Sequence, residues 1–155
     1  MSEPYGVTIF CDDIRQEMSG KHIYIGVYHS VLQINEPPPH VLQKLSFVPT
    51  IVIPNTYDFE KFRFVLKKKV DIDEDEEEIL VDLEPPLRER GSDPKRIRRQ
   101  VLPFSLSPME FKENCYLVAR AYFDDFEAKL GVLAIRFRPQ KTATSSLPRP
   151  ATPDE

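Results

Sequence analysis

The chain has no tryptophan, only five glycines, three histidines and two cysteines in 155 residues. Each shortage removes a class of protein. Five scattered glycines make no G-x-G-x-x-G and no P-loop, so no phosphate-cradling turn is encoded. No G-x-S-x-G nucleophile elbow is present either. His22, His29 and His40 form no H-E-x-x-H or H-x-H motif, and His22 and His29, seven apart on one expected strand, fall on opposite faces. Cys11 and Cys115 fit no zinc spacing. A disulfide between them would require neighbouring strands. Without a secretory context they are expected as reduced thiols. Without tryptophan there is no Cys…Trp…Cys core of the antibody type. No run approaches the roughly 18 apolar residues of a membrane span. The start "MSEPYGVTIFCDD" lacks the basic and apolar regions of a signal peptide. A cytoplasmic protein is expected.

What is present is bulk and proline. Ten Phe, six Tyr and an apolar fraction of 41% can fill one core. The length suits a single domain, and such a chain buries roughly two-thirds of its unfolded surface. A net charge of −4 and a pI near 5.5 argue against a nucleic-acid binder.

Periodicity supplies the fold class. "GVTIFC" (6–11) reads as a strand, and "DDIRQEMSGK" as a loop or one to two turns of helix with Asp12 as its cap. "HIYIGVYHSVLQI" (22–34) places Ile23, Ile25 and Val27 on one face and His22, Tyr24 and Tyr28 on the other. "NEPPPH" is an extended surface loop. In 44–53, Leu45, Phe47, Ile51 and Ile53 share a face, and Pro49 points to an edge strand or a bulge. That edge leaves a homodimer open. Residues 61–70 set Phe62, Phe64 and Leu66 against Lys61, Arg63 and Lys67, the pattern of a sheet with one wet face. "EILVDL" repeats it with Ile79, Val81 and Leu83. Residues 84–100 read as a long connection and 101–107 as a strand. Strands 115–123 and 126–137 meet in a hairpin at Asp124 and Asp125, with Gly131 marking a bulge. The expectation is an all-β, antiparallel, immunoglobulin-like β-sandwich of about seven to eight strands with at most one short helix. It spans 1–138. Residues 139–155, rich in Pro, Ser and Thr, read as a disordered tail.

Three acidic groups are candidate sites. In "VDIDEDEEEILVDL" (70–83), Asp71, Asp73 and Asp75 match the first ligand positions of an EF-hand loop. Glu76 stands where that loop needs Gly, Asp82 where it needs Glu, and the flanks read as strands. A solvated turn fits better, with Lys67, Lys68 and Lys69 facing the acids across the strands. Asp71, Asp73 and Asp75 remain candidates for docking a basic partner. Asp12, Asp13 and Glu17 could hold Mg²⁺ in a metal-dependent hydrolase, or simply sit at a helix N-terminus. Asp124, Asp125 and Glu127 read as hairpin chemistry. Arg88, Arg90, Lys95, Arg96, Arg98 and Arg99 could contact phosphates, but lack interleaved aromatics. Their simpler role is to neutralise the acidic hairpin before them. Cys11 beside Asp12 and Asp13 is a poor thiolate site.

The stretch "FCDDIRQEMSGKHIYIGVY" (10–28) resembles the opening of a family of small bacterial and phage-associated proteins with no assigned function. The matching residues are Asp12, Asp13, Ile14, Arg15, Gly20, Lys21, Ile25 and Gly26. The resemblance implies no activity, and makes Asp12, Asp13 and Arg15 the first polar residues to test. The reading is a non-catalytic binding or assembly module with a protein partner, no cofactor, no bound metal, no nucleic acid and no membrane. The alternatives are the hydrolase, and an acidic surface that mimics a binding partner.

Overall fold

The computed structural model describes residues 2–141. Twelve strands and no helix occur among the described residues. Most form two five-stranded sheets. Sheet A runs β2 (His22–Tyr28), β1 (Tyr5–Gln16), β5 (Leu45–Pro54), β8 (Ile97–Val101), with β9 (Phe104–Leu106) also on β5. Sheet B runs β3 (Val31–Ile34), β12 (Phe126–Phe137), β11 (Cys115–Phe123), β6 (Phe62–Lys69), β7 (Glu78–Leu83). β4 (His40–Leu42) and β10 (Met109–Phe111) form a small third sheet. All pairings are antiparallel except β3 with β12.

Alternation along the strands builds the core between the sheets. Phe47 and Ile51 of β5 meet Phe64 and Leu66 of β6, with Leu117, Phe123 and Leu133 around them, all buried. Phe47 stacks on Phe104 at 5.0 Å and takes the edge of Phe10 at 5.7 Å. The sheets come together where β1 crosses β12. There Gly6 lies against Leu130, and Gly131 (φ 135°) against Thr8 and Phe10. The expected bulge sits at Leu130–Gly131, where the β11–β12 register shifts.

Several expectations are corrected. The strand count is twelve because 22–34 splits at His29–Ser30 into β2 and β3, which belong to different sheets. The strand expected over 101–107 breaks at Leu102–Pro103, and β8, apart from Val101, β4 and β10 arise in segments not read as strands. The segment after Cys11 is not helical, since β1 runs on to Gln16 and turns into β2 through 17–21. Asp12 therefore caps nothing. Backbone pairing with β2 outcompetes a short exposed turn of helix, which is marginal by itself. Nor is Pro49 on an edge, because β5 has partners on both sides. A residue's N–H and C=O point the same way from a strand. The Pro49 carbonyl accepts from Leu102 at 2.9 Å, so its missing N–H faces the β8–β9 break, where no partner is lost. Ile79 was expected to share a face with Val81 and Leu83. A register shift at Leu66/Lys67 pairs it with Lys67 and turns it to solvent. The tail expectation falls mostly on 142–155, outside the described residues.

Candidate interaction surface

The β1–β2 hairpin carries the first acidic group. Phe10 points into the core, so the even residues of β1 face inward and the odd ones outward. Asp12 and Asp13, being neighbours, part company. Asp12 lies against Gly26 and accepts from the Tyr28 hydroxyl. Gly26 has φ 66°, and any side chain there would occupy the place of the Asp12 carboxylate. Burial, and then the Asp12 carboxylate, push the Tyr28 phenol up. On the outer side, Asp13 is paired with Lys44 and, at 3.2 Å, with Arg15. Those two cations hold its carboxyl below the ordinary Asp value, Lys44 first. Glu17 sits in the turn and accepts from the Ser19 hydroxyl at 3.1 Å. The three carboxylates do not converge. Among the described residues no group of three His, Cys, Asp or Glu side chains is placed to hold a metal ion.

The same alternation fixes what else lies on that outer face. The register sets Val27 beside Cys11 and Ile25 beside Asp13, Ile9 beside Val48, Val7 beside Thr50, and Tyr5 beside Val52. On the far side Thr50 meets Val101, and Pro54 meets Ile97. Tyr5, Val7, Ile23, Ile25, Val27, Ile97 and Val101 are 37–62% exposed. Cys11, Ser46, Val48 and Val52 lie between them, buried although outside the core cluster. Together they form one aliphatic face across four strands. β2 is the edge strand of sheet A, with Ile23, Ile25 and Val27 exposed on its outer face and Tyr28 packed against the core on the other, so the hairpin forms an arm at the sheet edge. Sequence periodicity had grouped Ile23, Ile25 and Val27, but had not shown that theirs is the outer face. It had missed Tyr5, Val7, Ile97 and Val101. The alternation Tyr5, Val7, Ile9 was legible, but its direction was not.

Sheet B turns a different chemistry outward. Arg63 pairs with Asp82 at 2.9 Å, Lys67 with Glu77 at 2.9 Å, Arg120 with Glu127 at 2.8 Å, and Lys68 with Glu78. Arg63 and Lys67 also lie over the Tyr122 ring, at 5.4 and 5.5 Å. Burial lowers the Lys67 pKa, but Tyr122 and Glu77 outweigh it, and the net shift is upward. Lys67 and Lys68 thus face acids across the β6–β7 hairpin, as expected, whereas Lys69 donates to the Ile72 carbonyl at 3.3 Å. At its tip, Asp71 accepts from the Asp73 backbone at 3.0 Å, an Asx turn. Asp75 is exposed.

The basic segment does not neutralise this hairpin through the ion pairs found. Arg90 pairs with Asp58, Arg96 with Asp93 at 3.4 Å, and Arg98 lies over Phe59 at 5.2 Å. Buried Asn55 holds the segment instead, donating to the Gly91 and Asp93 carbonyls. In the third acidic group, Asp124 (φ 52°) turns the hairpin and accepts from the backbone of Glu60 and Lys61. Cys11 and Cys115 are buried, free, and on different sheets. Burial, ahead of Asp12 and Asp13, pushes the Cys11 thiol up, and burial carries Cys115 to about 11.

One cleft of about 540 Å³ opens between β7 and the 106–113 segment, floored by Leu80, Leu106, Met109 and Phe111 and rimmed by the Lys68–Glu78 pair. Its lining also holds Glu110, Lys112, Glu113 and the buried Cys115. No helix among the described residues is long and apolar enough to cross a membrane. In comparisons with known proteins, no family model, no curated protein and no solved structure matches this chain.

Proposed function

We propose that this chain is a non-catalytic binding or assembly module whose contact surface is the outer face of sheet A with its β1–β2 arm. The observation that carries this reading is the aliphatic face itself. An antiparallel sheet facing water ordinarily turns polar side chains outward. Seven exposed apolar side chains amount to on the order of 600 Å², the upper end of what the largest patch on a monomer reaches. Such a patch has the composition of an interface centre, depleted of charge.

Architecture is part of the reading. The order β12-β11-β6-β7 in one sheet and β1-β5-β8 in the other corresponds to the G-F-C-C′ and A-B-E orders of an immunoglobulin-like sandwich. That architecture hosts many functions, so the surface rather than the fold carries the proposal. The free thiols of Cys11 and Cys115 support a cytoplasmic location. The resemblance of residues 10–28 to small bacterial and phage-associated proteins belongs here as well, because those residues build the arm.

Two measurements test the reading. A photo-crosslinking residue at position 7 should give protein adducts in cell extract, and the same residue at position 129 on sheet B should not. Equal labelling at both would overturn the assignment of the surface. Melting with Ca²⁺, Mg²⁺, Mn²⁺ or Zn²⁺ against EDTA should give no shift. A metal bound at a hundred times its dissociation constant would add about 2.7 kcal/mol and return the case to the Asp12, Asp13 and Glu17 hydrolase.

A further inference from the structure

We infer that the partner of this face is a second copy of the same chain, packed sheet A on sheet A about a two-fold axis. The inference rests on the contact-surface reading above and names its occupant.

The first argument is area. The seven exposed apolar side chains, with Thr50 between Val7 and Val101, Arg99 between Ile97 and Val101, and Arg15 and Lys44 beside the arm, bring the face to about the 800 Å² per partner of a standard interface. The second is charge. Asp13 at the margin is already paired with both Lys44 and Arg15, and the Ser46 and Ser105 hydroxyls bond to each other at 2.7 Å. Covering Asp13, Ser46 and Ser105 strands no lone carboxylate or hydroxyl, which would be costly, and Arg99, on edge strand β8, keeps its charge at the wet rim. Asp13, the acid on this face, therefore gives a basic foreign partner no free carboxylate to recognise.

Shape adds a third argument. Two identical sheets share one twist and pack face to face at about 10 Å and about −30°. A two-fold then uses each residue twice and closes the assembly at two copies. The arm adds a fourth. β2 pairs with β1 at the edge of sheet A, and its outer residues Ile23, Ile25 and Val27 are exposed while Tyr28 on the other face packs against the core. A two-stranded hairpin is marginal until something packs on it, and the facing sheet of a second copy supplies that layer over Ile23, Ile25 and Val27.

Light scattering and sedimentation of the purified chain across the micromolar range give the mass directly. Twice the 18.0 kDa of one chain is expected. Val7→Lys and Ile25→Glu, both at exposed positions, should melt like the parent chain at concentrations too low for it to dimerise and raise the dimer dissociation constant by on the order of a hundredfold or more. Val7→Cys should cross-link to itself with a short bis-maleimide, whereas Lys129→Cys should not. The native cysteines are buried and should stay silent. A single-chain mass at every concentration, or cross-linking at position 129 equal to that at position 7, overturns the second copy. A single-chain mass with adducts to another protein confined to position 7 would sink the dimer and leave the contact surface standing. Adducts spread over both sheets would sink both.

Discussion

On sheet B the side chains that leave the core are Arg63, Lys67, Arg120 and Glu127. On sheet A they are Tyr5, Val7, Ile25, Val27 and Val101. Both faces come from strands of the same kind, flanking the same core. On sheet B Arg63, Lys67 and Arg120 each have an acid within reach, so water and counter-charge complete the face. On sheet A the charges sit at the margin and the centre is aliphatic. The acid-rich β6–β7 hairpin draws the eye in the sequence and is internally satisfied. The quieter β1–β2 hairpin leaves its surface unfinished. The proposed contact surface therefore rests on exposed β-branched residues and not on the loudest charge.

Removing what the two faces share should have the largest effect. Phe47→Ala, at a fully buried ring stacked on Phe104, should cost about 3–5 kcal/mol in urea unfolding and lose both faces together. A loss confined to one sheet would mean that the sheets do not share one cooperative core. Gly26→Ala acts on the arm alone. It forces a side chain to φ 66° and into the Asp12 carboxylate, for about 1–3 kcal/mol. Adding Asp12→Ala should recover the steric part and leave the backbone part, as read by thermal melts of the single and double variants.

The contrast between the faces is sharper in milder variants. Arg120→Ala should cost about 0.2–1 kcal/mol, less in high salt, because its partner Glu127 is half-exposed and the pair is screened from that side. Diluted to where the chain is single, Val7→Lys should change stability by no more than about 0.5 kcal/mol yet reduce binding of a hydrophobic dye. Dye binding that survives it would break the comparison. Asp13 should have the smallest effect, one readable against pH. Its folded pKa is depressed by Lys44 and Arg15, so its contribution is present above the unfolded Asp value of about 3.9 and is lost as pH falls through the folded value. Asp13→Asn should therefore trail the parent chain at neutral pH and converge on it in acid melts.

Much of the fold was legible because the strands repeat with a period of two. The inward sets Phe62–Phe64–Leu66 and Leu45–Phe47–Ile51–Ile53, the Asp124 turn and the Gly131 bulge all follow from residue type and spacing. The β1–β2 turn was not, because "DDIRQEMSG" has the caps and charges of a short helix and only pairing with β2 overrules them. Pro49 misled for a similar reason, because its missing N–H matters only if a neighbouring strand needs it, and the β8–β9 break removes the need. Ile79 changed sides through a register shift that no local pattern records.

The sequence by itself determined that this is an all-β chain with enough aliphatic and aromatic bulk for one core, with charge-paired β6 and β7 and without cysteine, histidine or glycine motifs for chemistry. These are local properties, set by side-chain alternation and composition. Which face of each strand is wet was decided only by tertiary structure. A period of two separates Ile23, Ile25 and Val27 from Tyr24 and Tyr28 but carries no sign. The sign comes from Phe10 entering the core, which turns the odd residues of β1, and through their register those of β2, out into water.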